Sequence, residues 1–136
     1  MIKLIVGNKG SGKTKTLIDM INKAAKTTSG NIVCIEKGLK MTYDIDYSVR
    51  LIDIENYGVA GFDAFYGFIA GICAGNYDIT EIFIDATLKI GGRDLGAFAE
   101  MVGKLEKLTA ENKVEIVFTV SCDRSELPES VLPYII

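Results

Sequence analysis

The chain contains no histidine. That removes His-based catalytic triads, His-metal clusters and imidazole pH switches in one step. Cysteine is scarce: Cys34, Cys73 and Cys122 form no CxxC pair and are odd in number. They read as reduced thiols, not as a disulfide framework or a zinc site. Positive charge is not in excess, since 15 Lys and Arg face 18 Asp and Glu for a net charge of −3. A general nucleic-acid binder would carry the opposite imbalance. Long hydrophobic runs are missing too. Residues 1–7 are apolar over too short a stretch for a signal-peptide core, and Phe62–Ala74 is broken by Asp63 and too short to span a bilayer. A cytoplasmic protein without a membrane span is expected.

What is present is 136 residues, 49% hydrophobic and 24% charged, which is the size and composition of one folded domain. No linker, repeat or second composition zone interrupts residues 1–136. Short apolar runs alternate with longer stretches of helical period, the pattern of an α/β domain. Lys3–Val6 predicts a first strand buried on both faces. Leu17, Ile18, Ile21, Ala24 and Ala25 make the apolar face of a helix over Lys13–Lys26. Further strands are expected at Ile32–Glu36, Arg50–Ile54, Thr80–Asp85 and Val114–Val120, and the tail from Ser125 to Ile136 is expected to hold a short turn or helix with a last edge strand. Phe62–Ala74 reads as a helix whose Gly67, Gly71 and Gly75 stripe would let it lie close to a sheet. Leu95, Phe98, Val102, Leu105 and Leu108 predict another amphipathic helix. The Tyr- and Asp-rich stretch before Arg50 has no readable period.

One motif carries chemistry. Gly7-Asn8-Lys9-Gly10-Ser11-Gly12-Lys13-Thr14 fits G-x-x-x-x-G-K-[ST] at every constrained position, between a buried strand and an amphipathic helix. Glycines let the backbone curl so that successive N–H groups face phosphate oxygens, and the helix start adds its positive end. Lys13 has the reach for β- and γ-phosphates, and the Thr14 hydroxyl suits Mg²⁺. Such a loop needs a carboxylate on a neighbouring strand end. Glu81-Ile82-Phe83-Ile84-Asp85 supplies it, 72 residues beyond Lys13.

On these two motifs the chain resembles the P-loop NTPase superfamily, Gly7–Thr14 being similar to Walker A and Ile82–Asp85 to Walker B. The resemblance implies a three-layer domain around a mainly parallel sheet of five or six strands. It also implies ATP with Mg²⁺ held by Thr14 and Asp85. Asp85-Ala86-Thr87-Leu88 lacks the glycine of a GTPase D-x-x-G. Asn112-Lys113-Val114-Glu115 precedes its strand and so cannot line a guanine pocket at that strand's carboxyl end. With only Arg50, Arg93 and Arg124, the chain also lacks the arginine-rich lid of small-molecule kinases. The remaining branch is RecA-like and AAA-type, in which another strand, here Val114–Val120, lies between the Walker strands. A fainter similarity, to the nucleotide core of twitching-motility and secretion ATPases, covers that core only, because the histidine motifs of those motors have no counterpart here.

Within that branch a Glu often follows the Walker B Asp, but this chain has Ala86. RecA-like members carry a water-activating Glu at the end of the second strand. Glu36, 23 residues beyond Lys13, stands at that position, where a solvated strand-end carboxylate is the plainer alternative. Ser121 is the candidate polar sensor, while Arg93 and Arg124 are candidates for reaching the nucleotide of a neighbouring subunit. The expected function is Mg-dependent ATP binding with slow hydrolysis, in a homo-oligomer or with a partner protein. The alternatives are a nucleotide-dependent interaction protein that does not hydrolyse and, third, a small-molecule phosphotransferase.

Overall fold

A computed structural model describes residues 1–136. Five strands form one all-parallel sheet: β1 (Ile2–Gly7), β2 (Asn31–Glu36), β3 (Arg50–Asp53), β4 (Ile79–Ile84) and β5 (Glu115–Ser121), in the spatial order β1-β5-β4-β2-β3. The late strand does lie between the first and fourth. Parallel neighbours need crossover connections, and these are supplied by α1 (Lys13–Thr27), α2 (Phe62–Gly75), a short α3 (Thr87–Gly91) and α4 (Leu95–Asn112). No helix is long and apolar enough to cross a membrane.

Strand alternation divides the core. Leu4, Val33, Ile35, Ile82, Ile84, Phe118 and Val120 face α2, α3 and α4 in the larger cluster of 25 buried residues. Ile5, Cys34, Phe83 and Val117 face α1 in a smaller cluster of 10. Helix α1 is alone on that side and buries Leu17 and Ile21 completely, each contributing about 1.5–3 kcal/mol of transfer free energy. The rest of the sheet there is covered by the irregular stretch between β2 and β3, whose Met41, Ile45 and Val49 join the same cluster. Asn22 of α1 clamps this stretch with both ends of its amide, donating to the Asp44 carbonyl at 2.8 Å and accepting from the Asp46 N–H at 2.9 Å.

Three local expectations are corrected. The third strand stops at Asp53, whose carboxylate accepts the Glu55 N–H and opens a 3₁₀ turn at Ile54. The tail forms the short helical turns expected, at 124–126 and 129–134, but its edge strand reduces to a single Leu4–Ile135 bridge to β1. Helix α2 meets the core through Phe62, Phe65, Ile69 and Cys73, while Gly67, Gly71 and Gly75 face open space. Burying two phenylalanines removes far more apolar area than burying glycines, so the aromatic stripe takes the inner face.

Candidate functional site

In parallel sheets the strand carboxyl ends gather loops and helix starts on one edge, and ligand crevices form there. Here that edge holds a cleft of about 750 Å³, lined by 18 residues of which only three are hydrophobic. Gly7 ends β1, and the chain turns over Asn8–Gly12 into α1. Gly10 and Gly12 both have φ of +87°, a backbone that L side chains rarely adopt. A β-carbon on Gly7 would collide with the Ser11 side chain. Gly10 and Gly12 are therefore demanded by the backbone path, and Gly7 leaves room for the Ser11 side chain. Lys13 is 8% exposed, and its Nζ donates to the Asn8 carbonyl at 3.1 Å, across the loop it belongs to.

Asp85 follows β4 directly. Its N–H donates to the Ile35 carbonyl of β2, and the Thr14 hydroxyl lies 3.4 Å from both of its carboxylate oxygens. The sequence reading missed the residue that orients this carboxylate. Thr119 of β5 is 1% exposed; its hydroxyl donates to Asp85 Oδ1 at 2.6 Å and accepts the Ala86 N–H at 2.8 Å. A signal was available, because a threonine facing the α1 side of an otherwise apolar buried strand needs a polar partner. Ala86 has φ of 54° and ψ of 49°, a left-handed conformation that costs a non-glycine residue about 1 kcal/mol. Its bond to Thr119 holds that turn in place.

Thr14 and Asp85 suit Mg²⁺. They place two hard oxygen donors side by side, and no cluster of three or more metal-ligating side chains exists in the chain. Mg²⁺ is held in just this way when most of its ligands are phosphate oxygens and waters.

Glu36 ends β2, beside Asp85 in the sheet, and lines the cleft at 3% exposure. It is not the solvated rim carboxylate of the plainer expectation. Its Oε1 accepts the Lys40 N–H at 2.9 Å and its Oε2 the Met41 N–H at 3.4 Å. Burial raises its pKa above the ordinary 4.5; the two backbone N–H groups oppose that rise, and the charges of Asp85 and Asp53 add to it. The folded protein therefore holds this proton to higher pH than the unfolded chain does. The associated stability is full below about pH 4.5 and is lost as pH rises through the raised value. Glu36→Gln cannot titrate, so the stability of the native chain relative to this variant is expected to fall as pH increases from about 4.5 towards neutrality. Urea unfolding of both proteins across that range measures the difference, and parallel pH profiles would contradict it.

The remaining expected residues divide. Arg93 lines the cleft of its own chain and donates to the Ser121 carbonyl at 3.3 Å, while Ser121 itself sits at the cleft edge on β5. Arg124 lies outside the cleft, exposed on the 3₁₀ turn after Asp123. Lysines that the sequence did not single out complete the lining: Lys15, Lys37, Lys40 and Lys89 join Lys9, Lys13 and Arg93. Seven of the 15 cationic side chains thus converge on a cleft made by 18 of 136 residues.

No protein-family profile and no curated protein matches the chain. Among solved structures it is similar to the flagellar accessory protein FlaH from Methanocaldococcus jannaschii, with a TM-score of 0.62 and 17% identity. The match covers 97% of this chain and 65% of the FlaH chain, so this chain spans less than two thirds of that protein's length. What the two share at this identity is the fold, an α/β domain around a parallel sheet.

Proposed function

We propose that the cleft binds Mg·ATP and hydrolyses it slowly. The observation that carries this reading is the meeting of the Thr14 hydroxyl and the Asp85 carboxylate beside the glycine loop and Lys13. Loop amides and the α1 N-terminus take the β- and γ-phosphate oxygens, and Lys13 exchanges its Asn8 carbonyl for them. Mg²⁺, when bound, draws charge from the phosphates and fixes their orientation. Thr14 and Asp85 hold its shell, and Thr119 fixes the Asp85 carboxylate. Glu36 is the base candidate: it is buried, borders the cleft and has a pKa shifted towards the working range of a general base. Adenine is favoured over guanine by the absence of both guanine-specific motifs.

Phosphate release from the purified chain with Mg·ATP tests the reading. Arg93 already borders its own cleft, so a neighbouring subunit's contribution falls to Arg124. An arginine finger supplied in trans is worth about 10³–10⁵ in rate. Specific activity is therefore expected to rise with protein concentration, and Arg124→Ala is expected to remove the rise. Constant specific activity over a hundredfold dilution, with Arg124→Ala fully active, would rule out the trans arginine.

A second reading, nucleotide binding without turnover, is favoured by Ala86 after Asp85 and by the two backbone N–H groups that occupy Glu36. Saturable Mg·ATP binding with no phosphate release at any concentration would select it.

A further inference from the structure

The cleft holds more positive charge than a nucleotide needs. Of its seven cations only Lys15 is paired, with Asp19 at 3.8 Å; the molecule's other ion pair, Lys3–Glu115, lies elsewhere. Against the six unpaired cations stand two cleft carboxylates, Glu36 and Asp85. A Mg-bound triphosphate brings about two negative charges. About two positive charges are then left over, the charge that one phosphate monoester or free phosphate dianion carries near neutral pH.

The surplus also has a place. Lys37 and Lys40 follow β2, and Lys89 is on α3 after β4. Strands β1 and β2 are three inter-strand spacings apart, about 14 Å. Lys37 and Lys40 are therefore rooted on the far side of β4 from the strand that leads into the glycine loop, and Lys89 follows β4 itself. The wall that carries them is built. Lys37 Nζ donates to the Lys89 carbonyl at 3.3 Å and ties the two loops together. The Lys40 N–H is fixed to Glu36 and the Gly38 N–H to Asp53 at 2.9 Å. The exposed tyrosines Tyr43 and Tyr47 do not line the cleft, so it offers no aromatic platform for stacking the bases of a nucleic-acid strand.

The geometry points to a second anion subsite beside the nucleotide: Lys37, Lys40 and Lys89 form a shelf for the phosphate group of a small phosphorylated molecule or for free phosphate. The assignment of the other half of the cleft rests on the reading that a triphosphate occupies the Gly7–Thr14 loop.

The test titrates inorganic phosphate, and separately glycerol phosphate, into the full chain loaded with Mg²⁺ and a non-hydrolysable ATP analogue, followed by ³¹P NMR and calorimetry. One phosphate per chain is expected to bind alongside the analogue. The Lys37→Gln/Lys40→Gln double variant is expected to weaken it about tenfold or more, the loss of charge-assisted hydrogen bonds, with nucleotide affinity changed less than about threefold. Both side chains are exposed, and the Lys40 N–H that holds Glu36 is kept, so an unchanged unfolding midpoint verifies the fold. Tighter binding of glycerol phosphate identifies a phosphorylated molecule, and tighter binding of free phosphate identifies the inorganic ion; either supports the shelf. Undiminished phosphate binding by the double variant, or phosphate that merely displaces the nucleotide analogue, overturns it. So does a short single-stranded oligonucleotide that binds the shelf more tightly than either probe. If the native chain binds no nucleotide analogue, the Mg·ATP reading fails by itself. Phosphate titration of Lys13→Ala, with and without the two shelf substitutions, then still decides the shelf.

Discussion

Lys13→Ala is expected to abolish phosphate release and to weaken Mg·ATP binding by about ten- to a hundredfold, the range set by one hydrogen-bonded charge on a partly desolvated phosphate. The loop backbone should survive the change. Gly10 and Gly12 set its path, and the Ser11 N–H to Asn8 carbonyl bond at 3.1 Å does not involve the lysine side chain. Equilibrium binding of a fluorescent ATP analogue separates the affinity loss from the loss of turnover, and a thermal unfolding curve excludes misfolding. Retained tight binding together with normal hydrolysis would sink the proposed function, because Lys13 is the lysine whose Nζ lies across the loop at the Asn8 carbonyl, while the loop's other lysine, Lys9, is exposed.

Phe98→Ala is expected to have the largest effect on stability, about 3–5 kcal/mol. Its ring is fully buried between Phe62 of α2, at 5.8 Å between centroids, and Phe118 of β5, at 6.0 Å and nearly perpendicular. Removing it leaves a cavity where two helices meet the sheet, in a domain whose total stability is expected to be about 5–15 kcal/mol. Urea unfolding with an unchanged slope measures the loss. A loss below about 1 kcal/mol would show that the surrounding rings close the gap. Phe118 immediately precedes Thr119, so a loosened β5 should also release the Asp85 carboxylate.

The fold was legible because its central strands β2, β4 and β5 are buried on both faces. They read as continuous β-branched runs whose parallel pairing follows from the helices between them. The glycine loop was legible because its backbone path excludes most residues at fixed spacings. Other parts were not. Met41, Ile45 and Val49 are core residues that belong to a turn-rich stretch with no readable period. There the Asp46 carboxylate accepts the Ser48 N–H and hydroxyl, and Asn22 clamps the backbone from α1. Only tertiary contact makes those residues buried. Lys37, Lys40 and Lys89 look in sequence like any surface lysines, since the sheet order that gathers them is not a local property. Arg93 was recognised as an arginine of interest, but sequence could not say that it borders its own cleft.

The asymmetry of the two core faces has a thermodynamic consequence. The smaller face is closed by α1 and the 37–49 stretch, and the two are packed on each other through Leu17, Ile21, Met41 and Ile45. One member of that pair brings Lys13 and Thr14 to the cleft; the other brings Lys37, Lys40 and the N–H groups that hold Glu36 to the same cleft. Any coupling carried by this pair is a coupling free energy between two ligands of one cleft. Linkage then requires the effect to be mutual: a factor by which a ligand on α1's first turn changes affinity at the β2 loop must reappear, unaltered, in the reverse direction. Titrating each ligand in the presence of the other would read that single factor twice.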